Sequence, residues 1–224
     1  MWILPTLNRP EQCAQAVQRL VQRGAAARGV VLVNGKENAK RYWDEVFPSI
    51  PDNWLLLVED KNIGALGALN AVLADFPNEP WYGFVGDDEF VETTDFEEKL
   101  ISAAGAWDIA HGDDGVHRGE RAQSALVIGG KLARAVGYLA IPECWHWYGL
   151  DDMWESLAKA GACRKVFVPE VKVDHRHPYF GKGERDETYA LGESRKDIDY
   201  QIYASWMRYK FKDVVLRVKK ARSE

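Results

Sequence analysis

The chain has 224 residues, 46% hydrophobic and 28% charged, which suits one α/β domain with a buried core and is short for two. Its net charge of −5, from 29 basic and 34 acidic side chains, argues against a general nucleic-acid binder. No stretch approaches the roughly 20 apolar residues that cross a bilayer, and Met1 to Pro5 lacks a basic and apolar leader, so a cytoplasmic protein without stable membrane insertion is expected.

The first half alternates short apolar runs with helical patterns, which predicts β-α-β units around a mainly parallel sheet flanked by helices. Strand one is Trp2 to Leu4. A helix over Glu11 to Gln22 follows, with Cys13, Val17, Leu20 and Val21 on its inner face, ended by Gly24. Gly29 to Val33 reads as strand, 39–47 as a short helix, Trp54 to Val58 as strand, and Leu66 to Phe76 as helix. Trp81 to Val85 is a fourth strand that runs into Gly86-Asp87-Asp88-Glu89. Beyond it, Asp95 to Ala104 is a helix with Asp95 and Glu98 spaced as a capping box. Short strands are expected at 107–110 and 125–128, joined by the loop His111 to Gly115. A helix over Asp151 to Ala160, two strands at 166–168 and 171–173 broken by Pro169, and one long helix over Asp197 to Ala221 complete the reading. Cys13, Cys144 and Cys163 are odd in number and form no C-x-x-C pair, so reduced thiols are expected.

In open parallel sheets ligands bind outside the carboxyl ends of the strands. Polar residues fall there: Thr6, Asn8 and Arg9 after strand one, Asn34 and Gly35 after two, Glu59 to Lys61 after three, and Asp87, Asp88 and Glu89 after four. Hard cations take oxygen ligands, and acids at i and i+2 of a strand end, Asp87 and Glu89, share a direction while Asp88 alternates away. Past a late strand come His175 and His177, again at i and i+2. Manganese accepts imidazole beside carboxylate, so either or both extend the candidate ligand set; alternatively they cap the turn before Pro178. A rival cluster, His111, Asp113, Asp114 and His117, lies in a glycine-containing segment and is read as a mobile loop rather than a ligand set.

Five spaced segments carry a resemblance: Leu4-Pro5-Thr6-Leu7-Asn8-Arg9-Pro10, Asn62 to Asn70, Asp87-Asp88-Glu89, Leu150-Asp151-Asp152-Met153-Trp154, and Asp174-His175-Arg176-His177-Pro178. In this order they resemble the GT-A-fold nucleotide-sugar glycosyltransferases, especially short bacterial and phage forms. The resemblance implies a GT-A-like domain over 1–224, with a nucleotide-binding half at 1–90, an acceptor half at 91–190 and a helical basic tail at 191–224. It implies a nucleotide-sugar donor, uridine-linked, held by Pro5, Thr6, Arg9, Asn34, Asn62, Gly64, Asp87 and Asp88, and a Mn2+ or Mg2+ ion held by Asp87, Glu89, His175 and His177. The cation would neutralise the departing diphosphate. Asp151 and Asp152 resemble the acidic pair that supplies the base of inverting members, Asp151 being preferred; an Asp at a helix start is also a standard N-cap. Asn34 departs from the acid that the family often has, which leaves the base open.

The acceptor is a hydroxyl, of a saccharide or of a modified base in phage DNA. Residues 203–224 hold seven basic and two acidic side chains, and such a helix either packs its aromatics on the core or meets an anionic surface. Two other readings stay open: a nucleotidyltransferase, against which stands the missing glycine- and lysine-rich loop after strand one, and a non-catalytic sugar- or nucleotide-binding module.

Overall fold

A computed structural model describes residues 1–224 as eight strands and nine α-helices. In chain order they are β1 (Trp2–Thr6), α1 (Pro10–Gln22), β2 (Gly29–Val33), α2 (Ala39–Glu45), β3 (Trp54–Val58), α3 (Gly64–Asp75), β4 (Trp81–Phe84), β5 (Glu89–Val91) and α4 (Phe96–Ala104). The second half adds β6 (Ile109–Asp113), β7 (Leu126–Gly129), α5 (Gly130–Val136), α6 (Asp151–Lys159), β8 (Lys165–His175), α7 (Glu187–Ser194), α8 (Lys196–Tyr209) and α9 (Phe211–Ser223). The strands form one sheet in the order β3-β2-β1-β4-β7-β6-β8-β5. β3, β2, β1 and β4 run parallel, β7 is antiparallel to both β4 and β6, and β8 runs parallel to β6 and antiparallel to β5.

Side chains alternate across each strand, so one run of apolar residues feeds two cores. Ile3, Val30 and Leu32 face α3, α5, α6, α8 and α9, while Trp2, Leu4, Val31 and Val33 face α1, α2 and α4. In α1 the buried residues are Cys13, Val17 and Leu20, but Val21 is 41% exposed and does not belong to the inner face expected for it. All three cysteines are free and buried. No helix is long and apolar enough to cross a membrane.

The second half departs from expectation in specific ways. Asp95 does not cap α4: it sits in the left-handed region at φ 56° and its side chain makes no cap bond. The neighbouring Glu97 instead accepts from Trp2 Nε1 at 2.7 Å and from the Ala26 and Ala27 amides. Pro169 does not break β8, because the strand continues through it, pairing with β6 at Lys165 to Phe167 and, past an irregularity, at Lys172, and with β5 at Val173 to His175. The single helix expected over Asp197 to Ala221 is two, α8 and α9, parted at Lys210, and α7 precedes them, ending before Arg195. His111, Gly112 and Asp113 are not loop but the end of β6, with His111 fully buried, and Asp114 accepts from His117 Nδ1 at 2.7 Å.

The basic α9 lies far from the strand ends that gather the polar residues. Arg217 donates to the carbonyls of Ala135 and Val136, and Arg222 donates to Asp108 at 3.1 Å. Asp108 immediately precedes β6, which runs in the same sense as β4, so this end of α9 sits at the amino edge of the sheet.

Candidate active site

At the carboxyl edge of the parallel strands is a cavity of about 500 Å3. Pro5, Thr6 and Arg9 reach it from the end of β1, Asn34 from β2, Asn62 and Gly64 from the turn into α3, Asp87 and Asp88 from the β4–β5 turn, and Glu89 from the first position of β5. Asp151 and Asp152 enter from the start of α6, and His175 and His177 from the end of β8. The structure thus brings to one space the residues expected to hold the donor and the cation and to supply the base, whereas Asn8, Gly35 and Glu59 to Lys61, also at strand ends, do not line it.

Below the β1 end runs a relay of hydrogen bonds. The Arg9 amide donates to the Tyr42 hydroxyl at 3.0 Å, Tyr42 to Thr6 Oγ1 at 2.8 Å, and Thr6 to Asp87 Oδ2 at 2.8 Å. The Arg9 guanidinium donates to Asp87 at 3.1 Å and, through two nitrogens at 2.6 Å each, to both oxygens of Asp186. Tyr189 lies flat against it, 3.9 Å from ring centre to guanidinium carbon. Arg9, expected to await a phosphate, here grips a carboxylate in the same two-pronged way.

The acids divide differently from the strand rule. β4 ends at Phe84, so Asp87 and Asp88 stand on a turn where alternation does not hold. Asp87 turns to Thr6 and Arg9. Asp88, expected to point away, lies 3.6 Å from His175 Nε2 and accepts from Tyr189 at 2.6 Å, and Glu89 lies 3.9 Å from His175 Nδ1. Glu89 also accepts from the Gly86 and Ala125 amides at 3.2 and 3.3 Å. Glu89 and His175 meet because they are direct partners across the β5–β8 ladder.

Burial pushes Asp87 up to about 6 against the pull of Arg9, and pushes Glu89 up to about 7. Burial would also raise Asp88, but bonding to His175 and Tyr189 overcomes it and holds Asp88 well below the usual carboxylate range. His175 loses hydration too, yet its two acids raise it to about 9.

No three His, Cys, Asp or Glu side chains stand in chelating geometry in this arrangement. The donor chemistry of the cluster fits Mn2+ or Mg2+: the carboxylate oxygens of Asp88 and Glu89 stand beside the imidazole of His175. His177 Nδ1 accepts from the Tyr179 amide at 3.2 Å, which makes it the cap of the short turn Pro178–Phe180. Burial lowers His177 to about 4, the neutral form that a ligand requires.

Asn34 and Asn62 both brace the turn into α3, accepting from the amides of Ile63 at 3.2 Å and Gly64 at 2.9 Å. Gly64 has φ +76°, and a Cβ there would stand 2.6 Å from the Trp145 carbonyl oxygen. Its missing side chain is explained by this protein neighbour. Neither Asp151 nor Asp152 is an N-cap: both lie in the first turn of α6, behind Leu150. Asp151 accepts from Gln123 at 2.6 Å and Asp152 from Arg121 at 3.1 Å. Burial and the adjacent Asp151 raise Asp152.

Several residues of the site went unread in the sequence. Tyr42, Asp186, Tyr189 and the aromatic segment Trp145 to Tyr148 all border or support the cavity. Asp199 is fully buried and accepts from the amides of Trp145, His146 and Trp147 at 3.1, 2.9 and 3.0 Å. Its signal was available: it shares a helix face with Ile202, Tyr203 and Trp206, and a carboxylate on an inward face demands partners.

No protein-family model and no curated protein matches the sequence. Solved structures do match in fold. GalNAc-T7, solved with UDP, GalNAc and Mn2+, superposes with a TM-score of 0.63 at 11% identity, covering 86% of this chain and 47% of that one. TarS of S. aureus gives 0.59 at 14% identity, covering 76% and 36%, and its complex with UDP-GlcNAc gives 0.57 at 12%, covering 84% and 60%. HddC from Yersinia pseudotuberculosis gives 0.52 at 11%, covering 81% and 96%. The chain therefore spans well under two thirds of TarS and GalNAc-T7. At identities this low the likeness is one of fold alone, and the fold is GT-A-like.

Proposed function

We propose that this protein transfers a sugar from a uridine-linked nucleotide-sugar to an acceptor hydroxyl, with a divalent cation and with inversion. The observation that carries this is the convergence on one cavity of the β1, β2 and β4 strand ends, a buried Asp88–His175–Glu89 cluster and the paired acids of α6. The fold is also shared with proteins solved holding UDP-GlcNAc, or UDP with Mn2+.

Asp88 and Glu89 would hold the cation, joined by His175 once the ion displaces its proton, with Asp87 and His177 beside them. When bound, it supplies the positive charge that a leaving diphosphate needs. Arg9 lies against Asp87 and takes a phosphate in place of Asp186 as the donor enters. Asp151 is the base: Gln123 occupies one of its oxygens, leaving the other to accept the proton of the acceptor hydroxyl. Asp152, tied to Arg121, serves to hold the charge pattern around it.

Thermal-shift measurements with UDP-GlcNAc and UDP-GalNAc, with and without Mn2+, test the reading, since a ligand bound to the native state raises stability by RT ln(1 + [L]/Kd). A cation-dependent shift that disappears in Glu89→Ala, together with release of UDP on turnover, is the expected result. A shift that ignores the cation and survives Glu89→Ala would remove the metal assignment, and tight donor binding without any UDP release would leave a binding module.

A further inference from the structure

We propose that a second lobe of this cavity is the acceptor subsite and that it takes an uncharged pyranose; the proposal rests on the sugar-transfer reading above. The lobe encloses about 300 Å3 and shares His146, Trp147, His177, Tyr179 and Tyr189 with the main cavity. That volume lies at the small end of ligand sites and suits a single ring rather than a folded chain.

Its walls are aromatic faces held from behind. Tyr179 is 61% exposed, which is unusual for so large a ring, and its back is stacked on His177 at 5.2 Å and 6°. Trp147 stands edge-on to it at 6.3 Å and 73°. Trp147 is fixed at both ends, its indole N–H donating to the Gly192 carbonyl at 2.8 Å and its backbone amide to Asp199 at 3.0 Å. A rigid ring with one open face loses little entropy on stacking against the C–H face of a pyranose. At the polar edge Arg185 and Glu193 pair with each other, presenting donors and acceptors to hydroxyls with no net charge.

Charge decides against the other acceptor class, a nucleic acid. Asp87, Asp88, Glu89, Asp151 and Asp152 line the adjoining cavity, where Arg9 and Arg121 are engaged by carboxylates and Lys196 lies 4.9 Å from the Trp147 ring centre. Binding a phosphate backbone requires a row of free cations. The basic helix α9 cannot supply it, since Arg222 anchors that helix to Asp108 at the opposite edge of the sheet.

Saturation-transfer NMR tests the assignment, using the methyl glucopyranosides and their 2-acetamido counterparts as probes and a short single-stranded oligodeoxynucleotide at physiological ionic strength as the rival. The expected result is binding of at least one pyranoside, weakened about tenfold in Tyr179→Ala and by a larger factor than any change in UDP affinity. Tyr179 is exposed enough for its truncation to leave the fold intact, and Trp147→Phe, which keeps a ring, provides a second, milder perturbation. Failure of every pyranoside to bind, equal binding to Tyr179→Ala, or tighter binding of the oligonucleotide overturns the proposal. Pyranoside binding without any UDP binding would sustain the saccharide lobe while sinking the donor reading, so the two fail separately.

Discussion

Asp199→Ala probes the link between the C-terminal helices and the cavity wall. The side chain is wholly buried and its two oxygens accept three consecutive amides, at 3.1, 2.9 and 3.0 Å from Trp145, His146 and Trp147. Hydrogen bonds to a charged acceptor contribute about 1.5–3 kcal/mol each, but the three share one carboxylate and are not additive. Removing the acceptor leaves three donors to find water or go unpaired, and a net loss of about 3–5 kcal/mol follows. For a domain of this size that corresponds to a fall of roughly 6–20 °C in Tm. Asp199→Asn keeps one oxygen able to accept two of the amides and should lose only about 1–2 kcal/mol. Urea unfolding followed by far-UV circular dichroism gives the stability, and the near-UV spectrum reports the surroundings of Trp145 and Trp147. A loss below about 1 kcal/mol for the alanine variant, or equal losses for both variants, would refute the anchoring role.

Three further outcomes are expected. Gly64→Ala must accommodate both φ +76° and a 2.6 Å approach to the Trp145 carbonyl, and should lose about 2–4 kcal/mol, whereas Gly181→Ala, left-handed at φ +68° with open space around it, should lose only about 1 kcal/mol; equal losses in urea titrations would show that the contact is immaterial. Asp108 is held below its ordinary 3.8, since hydrogen bonds and charge from Arg164, with Arg222, outweigh the effect of burial. A carboxylate depressed in the folded state stabilises fully above its unfolded pKa and loses that contribution as pH falls through the folded value, so Asp108→Asn should flatten the stability profile below about pH 4. Parallel acid limbs for the two proteins would contradict this. Asp151→Asn should lower the transfer rate by about 10²–10⁴ with affinity for UDP and Mn2+ unchanged, as read by steady-state kinetics and calorimetry, and an equal loss of UDP affinity would argue against a base.

The parallel half of the fold was legible because each of its elements carries its own signal. β2 and β3 occupy the spans their apolar runs predicted, and α1 and α3 differ from expectation only at their ends. The second half depends on pairings between distant residues. Nothing local in Lys165 to His175 reports that one strand serves two ladders, and Pro169 argues locally for a break that tertiary pairing overrides. The candidate residues were legible as a set, since each follows a strand or opens a helix, but their partners were not. The expectation for Asp87 and Asp88 applied strand alternation to a turn, and the meeting of Glu89 with His175 needs a register linking positions 86 apart in sequence. Asp186 could not have been found as the partner of Arg9, because an acid in a polar connecting segment has no periodicity to betray its target.

The double allegiance of β8 has a bearing on which changes of length the protein can absorb. Side chains along a ladder point up and down in turn, so one residue added between Val171 and Asp174 would swing the imidazole of position 175 to the reverse of the sheet and part it from Glu89. The same addition at 181–185, after the strand has ended, shifts no ladder. A change of length just before His175 therefore strikes the site through register, whereas one at 181–185 is felt only through the local contacts of that segment.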